Sequence, residues 1–126
     1  MAFSAFETSV LAKFTELYGD QSPGLAAQLR VAQFARRENT GSGFFTDITV
    51  DRATPSVSCT SPLDGPSVTF DGKVVELELL LFLRDGYVCL LEGYSSTGED
   101  TSSIDFASLP ALPISLRHPI LNDIND

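Results

Sequence analysis

The stretch VVELELLLFLRDGYVCLLEGY, residues 74–94, decides the fold, because it contains two β-rich runs joined by an Asp-Gly pair. The first run covers residues 74–83 and the second covers residues 87–94. Asp-Gly is a preferred loop of a two-residue β-hairpin, since both loop positions adopt a positive φ. We therefore predict a long hairpin whose loop is Asp85 and Gly86.

This loop sets the predicted register of the hairpin. Counting outward from it places four pairs on one side of the sheet: Leu83–Val88, Leu81–Leu90, Leu79–Glu92 and Leu77–Tyr94. This side is mainly apolar and is expected to cover the core, packed against the first helix. On the other side, the count gives Phe82–Cys89 and Leu80–Leu91, while Glu76 and Glu78 interrupt the apolar pattern. One end of the hairpin is thus expected to be covered on both faces or to meet a second chain there.

A second hairpin is predicted upstream, around Gly41-Ser42-Gly43. Residues 44–50 alternate between two faces, which is typical of a half-buried strand. Residues 31–39 either extend the preceding helix or form the partner strand, and the glycines together with the alternation beyond them favour the strand. If Gly41 and Ser42 are the loop, Arg36 lies opposite Asp47 and Arg37 lies opposite Thr46.

Two helices are predicted near the start of the chain. Between residues 4 and 18, apolar residues recur at spacings of three and four, as on one stripe of a helix. This stripe consists of Phe6, Val10, Leu11, Phe14, Leu17 and Tyr18. Gly19 is a natural stop, and Ser22-Pro23 indicates the N-cap and first position of a second, short helix.

The remaining segments predict turns and extended chain. Residues 51–72 are rich in Pro, Gly, Ser, Thr and Asp, which favours turns, with a short edge strand near residues 68–70 as an alternative. The tail from Leu109 contains three prolines and is expected to be extended. The chain of 126 residues is thus predicted to be one α+β domain. In it, one or two N-terminal helices pack on a mainly antiparallel sheet of four to five strands built from two hairpins.

The charge of the chain restricts its partners. Eight Lys and Arg against seventeen Asp and Glu give a formal net charge of −9. Such a surface repels nucleic acid and anionic membranes, whereas it suits a basic protein partner or simply keeps the protein soluble. The first residues lack the pattern of a secretory signal, and no apolar run approaches the length of a membrane helix. These observations predict a cytoplasmic protein.

The sequence predicts no cofactor, metal or catalytic group. Cys59, Cys89 and His118 are too few for a structural zinc site in one chain. A set of carboxylates matches no calcium loop and is interpreted as solvated surface: Glu76, Glu78, Glu99, Asp100 and Asp105. The glycine-rich loop lacks the Lys-Ser or Lys-Thr of a phosphate loop, and no Gly-x-Ser-x-Gly elbow is present.

Arg37, Glu92 and Tyr94 are the candidate ligand-binding residues. The predicted register places Glu92 on the apolar side of its hairpin, where a carboxylate needs a partner. Arg37 is equally out of place, because it shares a face with Phe44 and Ile48. The hypothesis is that Arg37 and Glu92 pair and, with Tyr94, line a pocket. The alternatives are a structural ion pair, or a wrong register that exposes both residues.

Two segments, RRENTGSGFFT (residues 36–46) and LRDGYVCLLEGY (residues 83–94), carry a resemblance. They are similar to a group of small uncharacterised bacterial proteins, in which a Gly-Phe-Tyr/Phe-Thr hairpin precedes a hairpin ending in a Leu-Glu-Gly-Tyr-like run. The likeness covers about a third of the chain. It implies a bacterial protein with both hairpins and no established activity, and it assigns no catalytic residue.

Three functions remain open at this point. A non-enzymatic acidic interaction module, of the binding, inhibitor or immunity type, is favoured, because the charge is one-sided and no catalytic constellation is present. The first alternative is a small-ligand-binding or enzymatic domain with a polar pocket around Arg37 and Glu92. The second is a homodimer that pairs through the hairpin face bearing Leu80 and Phe82.

Overall fold

The computed structural model describes residues 2–69, 76–111 and 115–117. Within these ranges the elements, in chain order, are α1 (Ala5–Tyr18), α2 (Pro23–Val31), β1 (Gln33–Asn39), β2 (Gly43–Thr49), β3 (Leu63–Thr69), β4 (Glu76–Arg84), β5 (Tyr87–Ser95) and β6 (Ser115–Arg117). The strands form one antiparallel sheet in the order β1-β2-β5-β4-β3-β6. The predicted α+β fold, with N-terminal helices on an antiparallel sheet, is confirmed; the two predicted hairpins supply β1, β2, β4 and β5, and β3 and the short β6 extend the sheet beside β4.

Helix α1 begins and ends where the sequence predicts. Its N-cap is Ser4, whose hydroxyl accepts a hydrogen bond from the Glu7 amide at 3.0 Å, while the Glu7 carboxylate accepts one from the Ser4 amide at 2.7 Å. This reciprocal capping box satisfies two amides that the helix itself leaves unpaired. Gly19 is the C-cap. Four residues of the predicted stripe are buried: Phe6, Val10, Leu11 and Phe14.

The first hairpin has the predicted register, with Arg36 opposite Asp47 and Arg37 opposite Thr46. Residues 31–39 divide between two elements, because α2 ends at Val31 and β1 begins at Gln33. The prediction of a strand before the glycine-rich loop is therefore confirmed for residues 33–39.

The second hairpin has the predicted loop but, beyond its first pair, a different register. Asp85 and Gly86 have φ values of 55° and 85°, as the loop requires, and Leu83 lies opposite Val88. Cys89 has no partner in β4, and every later residue of β5 is displaced by one position. The other predicted pairs were wrong, since the structure has Phe82–Leu90, Leu81–Leu91, Leu80–Glu92, Leu79–Gly93, Glu78–Tyr94 and Leu77–Ser95. The physical reason is a β-bulge, which inserts one residue into one strand of the pair.

Strand β3 is longer than the alternative edge strand near residues 68–70 that the sequence suggests. It tolerates Pro66 because its pairing with β4 is irregular between Asp64 and Ser67. Part of the proline-containing tail forms β6, which pairs with β3. Phe70 and His118 lie outside the described residues.

The sheet has two unlike faces. The face turned toward the helices, called here the helix face, carries Phe44, Ile48, Leu77, Leu79, Leu81 and Leu91, all buried in one cluster with the stripe of α1. Gly93 makes room for this packing, because a Cβ there would lie 2.6 Å from Cε1 of Phe44. We call the opposite side of the sheet the open face.

Candidate functional site

Arg37 lies on the helix face, where its partner is Glu7 and not Glu92. Its Nη2 donates to Oε1 of Glu7 at 2.6 Å and its Nε donates to Oε2 at 2.9 Å, which makes the pair bidentate. The Glu7 side chain is 1% exposed and that of Arg37 is 15% exposed. The guanidinium also stacks over the ring of Phe34, at 4.7 Å from its centroid.

Glu7 accepts further hydrogen bonds from the Thr46 hydroxyl and the Ser4 amide. Burial by itself raises the pKa of Glu7, but the hydrogen bonds from Arg37, Thr46 and Ser4 and the charge of Arg37 outweigh it. The pKa of Glu7 is therefore lowered, and the hydrogen bonds that Arg37 donates to Glu7 raise the pKa of Arg37. This cluster keeps both charges and joins α1 to β1 and β2.

Glu92 lies on the open face, because the bulge at Cys89 turns it away from the core. It is opposite Leu80 on β4 and opposite Phe45 on β2. The prediction that Glu92 faces Leu79 on the apolar side and pairs with Arg37 was wrong, since it assumed a regular ladder without an extra residue. Of the alternatives weighed for these residues, the wrong register holds for Glu92 alone, whereas a structural ion pair between Arg37 and Glu92 is not formed, because Arg37 pairs with Glu7.

Tyr94 is 40% exposed at the end of β5, opposite Gly43 and Glu78. The structure thus does not bring Arg37, Glu92 and Tyr94 together, because the first is on the helix face and the second on the open face. Whether Glu92 or Tyr94 contacts a ligand stays a prediction.

In the described part of the chain, two grooves are lined by residues of both helices. One, of about 430 Å³, separates α1 from α2 and is mainly apolar; its lining includes Phe3, Leu11, Ala12, Ala26, Leu29 and Arg30. The other, of about 360 Å³, is lined in part by Tyr18, Ser22, Ser58, Cys59, Thr60 and Asp64. The Tyr18 hydroxyl there donates to the backbone carbonyl of Asp64 at 2.5 Å. Neither groove contains Arg37, Glu92 or Tyr94.

The thiols in the described ranges are poor nucleophiles. Burial raises the pKa of Cys59. It also raises the pKa of Cys89, whose Sγ donates to the carbonyl of Phe82 at 3.5 Å. A raised pKa leaves little thiolate at neutral pH, and the thiolate is the reactive form.

The acidic loop after β5 holds its carboxylates with its own hydroxyls. Glu99 accepts from Thr97 and Ser95, which lowers its pKa, and Asp100 accepts from Ser102 with the same effect. Over the ranges that the structure describes, no group of three or more His, Cys, Asp or Glu residues is arranged to hold a metal ion.

Thr101 and Gln28 are buried polar residues that sequence reasoning missed. The Thr101 hydroxyl accepts from the Gly43 amide at 2.8 Å and its carbonyl accepts from Asn39 Nδ2 at 2.9 Å, which attaches the loop to the first hairpin. The side-chain amide of Gln28 attaches α2 to the second hairpin, because its Nε2 donates to the carbonyl of Gly86 and its Oε1 accepts from the amide of Val88. No local signal marks either residue. For Glu7, in contrast, the Ser4-x-x-Glu7 spacing of a capping box is visible in the sequence.

The open face carries four half-buried apolar side chains, in contrast to the buried ones on the helix face: Phe45, Leu80, Phe82 and Leu90. Both helices pack on the other side. Carboxylates adjoin this apolar group, because Glu92 lies between Phe45 and Leu80 and because Asp47 is opposite Leu90. The open face is thus an amphipathic, mainly acidic surface.

No described helix is both long and apolar enough to cross a membrane. The chain matches no protein-family model, and no curated protein or solved structure is found to be similar to it. The candidate site therefore rests on the chemistry of this chain alone.

Proposed function

We propose that this protein is a non-enzymatic, acidic interaction module that binds a basic protein through the open face. The observation that carries the proposal is the composition of that face, where half-buried Phe45, Leu80, Phe82 and Leu90 adjoin Glu92, a carboxylate that has no salt bridge with a described residue. Apolar side chains supply contact area, and complementary charges select the partner and speed association.

The net charge of −9 supports a basic partner. Electrostatic attraction between an acidic and a basic protein acts before contact and weakens with salt. A bacterial, cytoplasmic binding or inhibitor protein, as the sequence predicts, fits this proposal. The alternative of a polar pocket around Arg37 and Glu92 loses its geometric support, because these two residues lie on opposite faces of the sheet.

The test is affinity capture from cell lysate with the immobilised chain and with three variants. Leu80→Ser and Phe82→Ser change the open face, whereas Val31→Ser changes an apolar residue that is 46% exposed at the end of α2. We expect wild type and Val31→Ser to retain the same basic protein, identified by mass spectrometry, and the other two to lose it. About 0.5 M salt should also release it.

Thermal unfolding of each variant shows whether it is folded at the temperature of capture. If folded Leu80→Ser and Phe82→Ser proteins retain the same partner as wild type, the open face is not the binding surface. Capture that is insensitive to salt contradicts the electrostatic part of the proposal.

A further inference from the structure

The registers of the sheet align five residues in one row across its strands, and the last of them, Asp64 on β3, also borders the groove beside Tyr18. In the order of the strands β1, β2, β5, β4 and β3, these are Glu38, Phe45, Glu92, Leu80 and Asp64. Carboxylates and apolar groups therefore alternate. Neighbouring strands are about 4.8 Å apart, so successive carboxylates of the row stand about 10 Å apart.

The β1 end of the row already holds a cation of the chain itself. Arg36 donates to Glu38 at 3.3 Å and to Asp47 at 3.2 Å, and its guanidinium lies 5.2 Å from the centroid of the Phe45 ring. At the β1 end of the row, a cation is thus bound between carboxylates and an aromatic ring.

Glu92 at the centre of the row and Asp64 at its β3 end have no salt bridge with any cation in the described part of the chain. Half-buried Leu80 lies between them. The row is thus neutralised by Arg36 at one end and negative at the other. A partner that covers Leu80 has to bring cations to both of its neighbours, because burying a carboxylate without a counter-ion is costly.

We infer that Glu92, Leu80 and Asp64 recognise an amphipathic helix of the partner that carries Lys or Arg seven residues apart, with an apolar residue midway between them. The inference rests on the proposed function and specifies the partner of the same face. The two cations pair with Glu92 and Asp64, and the apolar residue packs on Leu80.

The repeat distance favours a helix over other regular conformations. In a helix, residues seven apart are on the same side and about 10.5 Å apart, and residues three or four apart lie midway on that side. An extended strand presents a residue on one side about every 6.7 Å, which does not match the row. A polyproline helix repeats at about 9.3 Å but places no residue midway on the same side.

The twist of the sheet makes Glu92 the main electrostatic contact. Adjacent strands rotate by roughly 20–25°, so the side chains at the two ends of a five-strand row diverge. A straight helix therefore contacts the centre of the row best, and Glu92 is on the central strand β5.

The test uses two synthetic peptides of identical Lys, Leu and Ala composition, both helical. One has Lys at every seventh position with Leu midway, and the other has its Lys spread around the helix. Fluorescence anisotropy at low salt measures the Kd of each for the full chain and for the variants Glu92→Gln and Glu16→Gln. Glu16 is the matched control, because it is an exposed carboxylate of α1, 67% exposed.

We expect the peptide with the seven-residue repeat to bind at least about tenfold more tightly than the other. This preference should disappear in Glu92→Gln and persist in Glu16→Gln. Equal affinities for the two peptides, a preference that survives Glu92→Gln, or no binding of either peptide overturns the inference.

The two proposals fail differently. If both peptides bind equally and Leu80→Ser abolishes both interactions, the open face is a docking surface that does not select the seven-residue spacing of the Lys residues. If neither peptide binds and Leu80→Ser captures the same lysate protein as wild type, the proposed function itself is wrong.

Discussion

Glu7 and Glu92 show that the environment of a carboxylate decides its role. Glu7 is buried, yet it stays ionised because Arg37, Thr46 and Ser4 all donate to it. Glu92, half-buried on the open face, makes no salt bridge with a described residue. A fully bonded carboxylate supports the fold, whereas one without a cation is free to bind a partner.

Replacing Glu7 by Gln should destabilise the protein by about 3 kcal/mol, because the partly buried guanidinium of Arg37 loses its counter-ion. Urea denaturation measures the free energy of unfolding. The control is Glu16→Gln, which removes an exposed pair with Lys13 and should change this free energy by less than about 0.5 kcal/mol. Equal stabilities of the two variants would show that the Glu7–Arg37 pair contributes little.

The same carboxylate should make stability depend on acid pH. The pKa of Glu7 is lower in the folded state than in the unfolded chain, so its contribution is complete above the unfolded value of about 4.3. It is lost as the pH falls from there through the lower folded pKa. Urea denaturation between about pH 7 and pH 3 should show wild type and Glu7→Gln converging in stability as the pH falls. A constant difference between them would contradict the assignment.

At the scale of elements, turns were predictable and a bulge was not. Asp85-Gly86 and Gly41-Ser42 specify their loops through backbone conformations that few residues adopt, and both loops are as predicted. Nothing in the apolar run around Cys89 distinguishes a regular ladder from a bulged one. Because side chains alternate along a strand, a displacement of one residue moved Glu92 to the other face and changed the candidate site.

Polar contacts between residues that are distant in sequence could not be predicted from the sequence either. Gln28 Nε2 donates to the carbonyls of Pro55 and Gly86, and its Oε1 accepts from the amide of Val88, which adjoins the bulge. Three segments distant in sequence meet at this one side chain. Periodicity places Gln28 on a helix but does not show what surrounds it.

Gln28→Leu should therefore destabilise the protein by about 3 kcal/mol, since it leaves the buried Val88 amide without its acceptor and the Pro55 carbonyl without its donor, whereas the Gly86 carbonyl keeps the Val57 amide. Amide hydrogen exchange should become faster at Val88, and urea denaturation gives the change in stability. Gln21, exposed before α2, is the control, and Gln21→Ala should have an effect within about 0.5 kcal/mol. Unchanged protection of Val88 would mean that the Gln28 contact does not hold the hairpin.

At the scale of the molecule, the acidic charge and the open face act together. An apolar sheet face invites association with a second copy, which is the homodimer alternative. Stacking two open faces would bury the Glu92 carboxylate of each copy, and burying a carboxylate without a counter-ion is costly. Under the proposed function, Glu92 thus opposes self-association and pairs with a cation of the basic partner.

Replacing Glu92, the carboxylate at the centre of the open face, by an apolar residue should allow the protein to dimerise. In Glu92→Leu, the side chain between Phe45 and Leu80 becomes apolar, and the open face gains a continuous apolar surface. We expect light scattering during size-exclusion chromatography to show a monomer for wild type and for the exposed control Glu16→Leu, and a concentration-dependent dimer for Glu92→Leu. A wild-type dimer at micromolar concentration would instead support the homodimer. If Glu92→Leu remains a monomer, the charge of Glu92 is not what prevents dimerisation. The apolar area of the open face is then too small to hold two copies together.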